Sequence, residues 1–156
     1  MELNYIIEIS KVIAVLFAGC SFLFGIYIYI VNSRKERIKS TLEYWRMFHQ
    51  EVIPYLIKFN NKYPGKLHDN EVREVVNLSD MKETLHHILN KYEQLAIGVD
   101  LKAYEIKALN SLSGQEIINS YHRYEAYIFY RRAHKENPEI WLQYEKLVKL
   151  LIKLRG

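Results

Sequence analysis

From residue 12 to residue 31 the chain reads "VIAVLFAGCSFLFGIYIYIV", twenty residues without a charge. At 1.5 Å rise per residue, a helix of that length matches the roughly 30 Å hydrocarbon core of a bilayer. Buried helices of soluble proteins are seldom uncharged for so long. A cleaved leader fits poorly, because Glu2 and Glu8 stand where a basic n-region belongs and "IYIYIVNSRKER" offers no small-residue cleavage site. The pattern predicts one transmembrane helix over 12–32, preceded by a short external N-terminus, 1–11.

Beyond it the pattern is helical throughout. Residues 33–65 predict a juxtamembrane helical stalk, kinked or divided at Pro54, which lacks an amide donor and crowds the preceding turn. "NNKYPG" reads as a loop and "DNEVREVV" as a short helix, with Ser79 the expected N-cap of the next. Met81, Leu85, Ile88, Tyr92, Leu95 and Val99 recur at alternating spacings of four and three, one apolar seam that ends near Gly98. A short helix is expected over 103–110. "SGQE" then has the form of a capping box opening a longer helix, and Asn137 and Pro138 suit the N-cap and first position of a last one. No run alternates like a strand. The expected fold is all-α: a single N-terminal transmembrane helix followed by a small cytoplasmic helical bundle, the helical domain proper covering 66–156.

Charge sets the orientation. Only Lys11 precedes the apolar run, whereas Arg34, Lys35, Arg37 and Lys39 follow it directly. The positive-inside rule then places the C-terminal side in the cytoplasm, with the span in the inner (cytoplasmic) membrane. The formal charge is +4, with much of the excess where anionic lipid would attract it. Cys20 is the single cysteine, so an intramolecular disulfide and a thiolate–zinc cluster are both excluded.

"YHRYEAYIFYRR", residues 121–132, gathers five aromatic rings, three arginines and a histidine. On a helix Tyr121 and Tyr124 join Ile117 and Ile128 on one seam, Ile118 and Phe129 flank it, and Tyr127, Tyr130 and Arg123 share another face. A tyrosine buries its ring while its hydroxyl finds a partner at the edge of a core. Tyr92, Tyr121 and Tyr124 are therefore expected as core aromatics. A nucleic-acid platform is disfavoured, since it needs a strongly basic groove.

Glu83 and His86 have the Glu-x-x-His spacing of di-iron bundles, but both are expected to face solvent and no second such pair exists. His122 and Glu125 have the reverse spacing, and the adjacent His86 and His87 point about 100° apart. No metal, cofactor or catalytic residue is assigned. Glu93 lies on a polar flank, where it is expected to pair with a basic residue. Ile140, Trp141, Tyr144, Leu147, Val148, Leu151 and Ile152 form a wide apolar face opposite Lys146, Lys149 and Lys153. It suits the closing helix of a small core better than a helix lying on a membrane.

"LHHILNKYEQLAIGVDLKAYE", "IINSYHRYEAYI" and "NPEIWLQYEKLV" resemble the bacterial family called domain of unknown function 4760. Its members pair a short hydrophobic span with a small helical domain holding an "L-E-x-L-A-x-G-I"-like helix. Here that element is "YEQLAIGV", residues 92–99, followed by "DLKAY" where the family has a glycine-containing turn. The resemblance implies fold and location and carries no catalytic role.

Three functions follow as expectations. The first is a non-enzymatic, membrane-tethered interaction or regulatory module with a cytoplasmic protein partner. The second is a membrane-perturbing effector of defence or toxin type. The third is a small enzyme with an unrecognised site. Ala14, Ala18, Ser21 and Gly25 share one face of the span, spaced four, three and four, the small-residue pattern through which helices associate in lipid. They are the expected contact of a homo-oligomer.

Overall fold

A computed structural model of the chain describes residues 2–134 and 137–156, with side chains from Ile7 onward other than those of residues 9, 10 and 12. The helices are α1 (Glu2–Lys62), α2 (Asp69–Asn77), α3 (Ser79–Asp100), α4 (Ile106–His134) and α5 (Leu142–Arg155). No strand occurs among the described residues. The chain divides into two units, the first reaching Glu36 and the second being Arg37–Gly156.

The first unit is the N-terminal part of α1. It is long and apolar enough to cross a membrane, with a mean hydropathy of 2.2 over its best 18-residue window and none of that window buried. Phe17 and Phe22 are 71% and 70% exposed. The side chain of Val12, where the predicted span opens, lies outside the described residues.

The second unit holds the core. From Arg37 onward the segment expected as a stalk belongs to it, because Trp45, Phe48, Val52 and Phe59 are buried on one face of α1. Their spacing of three, four and seven is that of an amphipathic helix. Leu42, Met47, Ile53 and Ile57, exposed between them, dilute the signal in sequence. The helix is not divided at Pro54 but runs on to Lys62. The proline deprives the Gln50 carbonyl of its helical donor, at an exposed residue.

The pairings Tyr55–His87 and Phe48–Tyr92 run in opposite order along α1 and α3, making those helices antiparallel. Asn90 meets Trp141 and Glu93 meets Tyr144, so α5 runs parallel to α3. Arg132–Ile140 and Asn110–Arg155 set α5 antiparallel to α4. Between α1 and α2 the chain turns at Gly65, whose φ of 92° favours glycine. Leu67 is then buried, its N–H donating to the Arg123 carbonyl at 3.0 Å.

Two helix starts differ from the sequence reading. Ser79 is the first residue of α3 and not its cap; its hydroxyl donates to Glu83 instead. At "SGQE" the expected helix start is present: within Ile106–His134 two helical stretches meet across a kink at Ser113, which leaves helical geometry, and the Arg155 guanidinium donates to the Asn110 carbonyl (3.1 Å) and side-chain oxygen (2.9 Å) beside that kink. Asn137 and Pro138 lie in a turn before α5, the Asn137 side chain accepting the Glu139 N–H, and the helix begins only at Leu142.

Candidate functional site

The aromatic stretch occupies the second half of α4, the helix with neighbours on several sides. Tyr121 and Tyr124 are buried, and so is Tyr92 on α3. Tyr92 stacks on Tyr144 of α5 at 4.7 Å between centroids, and Tyr121 meets that ring edge-on at 5.3 Å. The hydroxyls are tied down too. Tyr92 donates to Ser120 Oγ and Tyr144 to the Ile117 carbonyl, each at 3.0 Å. Tyr127, on the second face with Tyr130 and Arg123, is fully buried, while Phe129 on the flank is half exposed.

Tyr127 leads to the most polar part of this interior. Its hydroxyl lies 2.8 Å from His86 Nε2, and the His86 ring sits edge-on to Trp141 at 5.4 Å. Trp141 Nε1 donates to Asn90 at 2.8 Å. His86 is therefore partly buried and not fully turned to solvent, because α4 and the turn before α5 cover part of the flank that the α3 seam leaves open. A phenol beside an imidazole has the parts of an acid–base pair, but burial pushes the Tyr127 phenol up to about 12. At neutral pH the phenol stays protonated and holds its contact with the histidine.

Among the described residues no basic side chain pairs with Glu93. Its carboxylate accepts the backbone N–H groups of Gln143 (3.2 Å) and Tyr144 (2.7 Å), capping the start of α5 from another helix. Glu83 accepts from Ser79 and does not share a site with His86. His122 Nδ1 lies 3.8 Å from Glu125, and the His87 ring stacks on Tyr55 at 4.1 Å. No group of three or more metal-ligating side chains occurs among the described residues. The arginines are fastened to backbone and carboxylate: Arg123 donates to the Tyr63 carbonyl at 2.7 Å, and Arg132 to the Ile140 carbonyl and to Glu145. Arg131 is buried with its Nε lacking a partner.

Two open grooves border this helix. One of about 820 Å³ lies between α2 and the end of α4, lined by Lys66, Arg73, Glu125, Phe129, Tyr130 and His134. The other, about 450 Å³, lies between α1 and α4, with Asn60, Glu116, Ser120 and Arg123 on its walls.

Of the residues after the apolar run, Arg37 pairs with Glu105 at 3.4 Å, while Arg34, Lys35 and Lys39 are exposed. Ala14, Ala18, Ser21 and Gly25 are all exposed, and nothing lies within 4 Å of where a Gly25 Cβ would stand.

Residues 9–151 match the family model described as Domain of unknown function (DUF4760), and the chain belongs to that family. No curated protein and no solved structure matches it.

Proposed function

We propose that this DUF4760 member is a single-pass membrane protein whose helical unit serves as a non-enzymatic interaction or regulatory module at the inner face of a bacterial membrane. One observation carries the reading. An uncharged helical surface bearing Phe17, Phe22 and Leu23 has none of its most apolar window covered by the chain's own fold. Hydrocarbon is the solvent that covers such a surface without cost. Exposed Arg34, Lys35 and Lys39 follow it, against Lys11 before it, which favours a cytoplasmic C-terminal unit. That unit commits Glu93, His86, Arg132 and its core tyrosines to holding itself together, which suits a module that presents a surface to a protein partner.

The test is a pair of fusions at Gly156. A cytoplasm-dependent reporter should give signal and a periplasm-dependent one none; the reverse pattern overturns the orientation, and recovery in the soluble fraction overturns the anchor. The exposed stripe of Ala14, Ala18, Ser21 and Gly25 favours self-association of the span as a second element. Should those oligomers perturb the bilayer, purified protein would release dye from vesicles. A tethered module releases none.

A further inference from the structure

In the Arg37–Gly156 unit the most exposed large hydrophobic side chain is Leu101, at 73%, in the turn between α3 and α4. The turn is well bonded. Leu101, Lys102 and Ala103 donate their N–H groups to the carbonyls of Ile97, Val99 and Gly98, at 2.9, 3.0 and 2.9 Å. Lys102 holds a left-handed φ of 58°. A leucine on a fixed turn, pointing at water, is an apolar group held ready for a surface outside the fold.

The turn also belongs to the end of the unit at which the chain enters it. The Glu105 N–H donates to Thr41 Oγ1 at 2.8 Å, and the Glu105 carboxylate pairs with Arg37. Arg37 stands six residues beyond Val31, the last of the apolar run. Even fully extended they reach only about 20 Å. Lys102 in the turn, Lys107 at the start of α4 and Lys39 on α1 are exposed. Of the carboxylates in residues 100–107, Glu105 is matched by Arg37, which leaves Asp100 exposed.

We propose that this turn is a membrane-contacting foot: Leu101 enters the interface of an anionic bilayer while Lys102 and Lys107 meet lipid phosphates. The proposal rests on the anchored reading above. A bilayer suits the feature better than a protein, because a single protruding leucine ringed by lysines offers far less than the roughly 800 Å² per partner of a stable protein interface. Apolar insertion beside basic side chains is how peripheral segments bind anionic lipid. Such a foot would fix which faces of the helical unit point away from the lipid toward a partner.

The experiment uses the full chain with Cys20→Ser, reconstituted in vesicles of phosphatidylcholine and phosphatidylglycerol. A polarity-sensitive fluorophore is placed by Leu101→Cys, by Ala103→Cys in the same turn, by Asn70→Cys on α2, or by Phe22→Cys in the apolar run. Lipids brominated on their acyl chains serve as quenchers. The foot predicts quenching and blue-shifted emission at 101 and 103, little at 70, and a fall of about fivefold in the ratio of quenched to unquenched label on Lys102→Gln, the factor one lysine contributes near an anionic surface. Quenching at 22 with none at 101 or 103 overturns the foot and leaves the anchor standing. No quenching at 22 overturns the anchored reading and the foot with it.

Discussion

The Glu93 carboxylate, on α3, accepts the backbone N–H of Tyr144 at 2.7 Å, and with the neighbouring Gln143 N–H it closes the first turn of α5. The α5 N-cap, Trp141, makes no side-chain capping bond, so the cap comes from another helix. Negative charge at a helix N-terminus also opposes the partial positive charge there. Glu93→Ala should cost about 1–2 kcal/mol, the scale for loss of a cap. Glu93→Gln should cost less, since one oxygen can still accept. Urea denaturation of the three proteins measures this; an unchanged midpoint for Glu93→Ala would mean that water satisfies those amides equally well.

Gly98 is a second position where a neighbour dictates the residue. A Cβ there would lie 2.1 Å from Cε2 of Tyr104, whose ring packs on Tyr44 at 4.9 Å. Gly98→Ala gains helix propensity, but it forces the Tyr104 ring off its seat. Overpacking of that kind costs about 1–3 kcal/mol. In Gly98→Ala/Tyr104→Ala the clash is gone, so the double variant should lose less than the two single losses combined. Strict additivity would show that the ring moves aside freely.

These two sites mark what the sequence could and could not disclose. The α3 seam was legible because Met81, Leu85, Ile88, Tyr92 and Leu95 are buried by a periodicity written in one segment. The start of α5 was not. Asn137 and Pro138 form a sound local signal, yet Glu93, far away in the chain, supplies the cap and the helix begins at Leu142. His86 was misplaced for a related reason. A seam tells which stripe is buried, whereas the width of the buried arc depends on how many neighbours cover it, and Tyr127 and Trp141 cover the flank as well. The same holds for α1 after Arg37, whose core face is hidden among exposed apolar residues.

Truncation separates the rings of α4. Tyr124 is 1% exposed and meets Phe59 edge-on at 5.7 Å. Tyr130 is only partly buried, stacked on His134 at 4.1 Å. Tyr124→Ala should destabilise the unit by about 3 kcal/mol, the lower end for emptying a buried aromatic site, and Tyr130→Ala by clearly less. Thermal melts of both variants decide it. Equal losses would show that Tyr130 is part of the core.

The same burial gives the protein an alkaline limit. Burial pushes the phenols of Tyr121, Tyr124 and Tyr127 up to about 12, and those of Tyr92 and Tyr144 upward as well. A phenol is charged when deprotonated, so a raised value means that the folded state holds a proton the unfolded chain gives up near 10. The stability each group contributes is fully present below about pH 10 and is lost as pH rises from there through about 12. The melting temperature should therefore hold steady from neutral pH to about 10 and fall steeply above it. Phenolate absorbance should rise in two stages, the second coinciding with loss of helical circular dichroism. Tyr124→Phe, which keeps the ring and removes one titrating group, should soften the fall. If all thirteen tyrosines titrate before any helix is lost, the core phenols face water and the aromatic interior is wrongly placed.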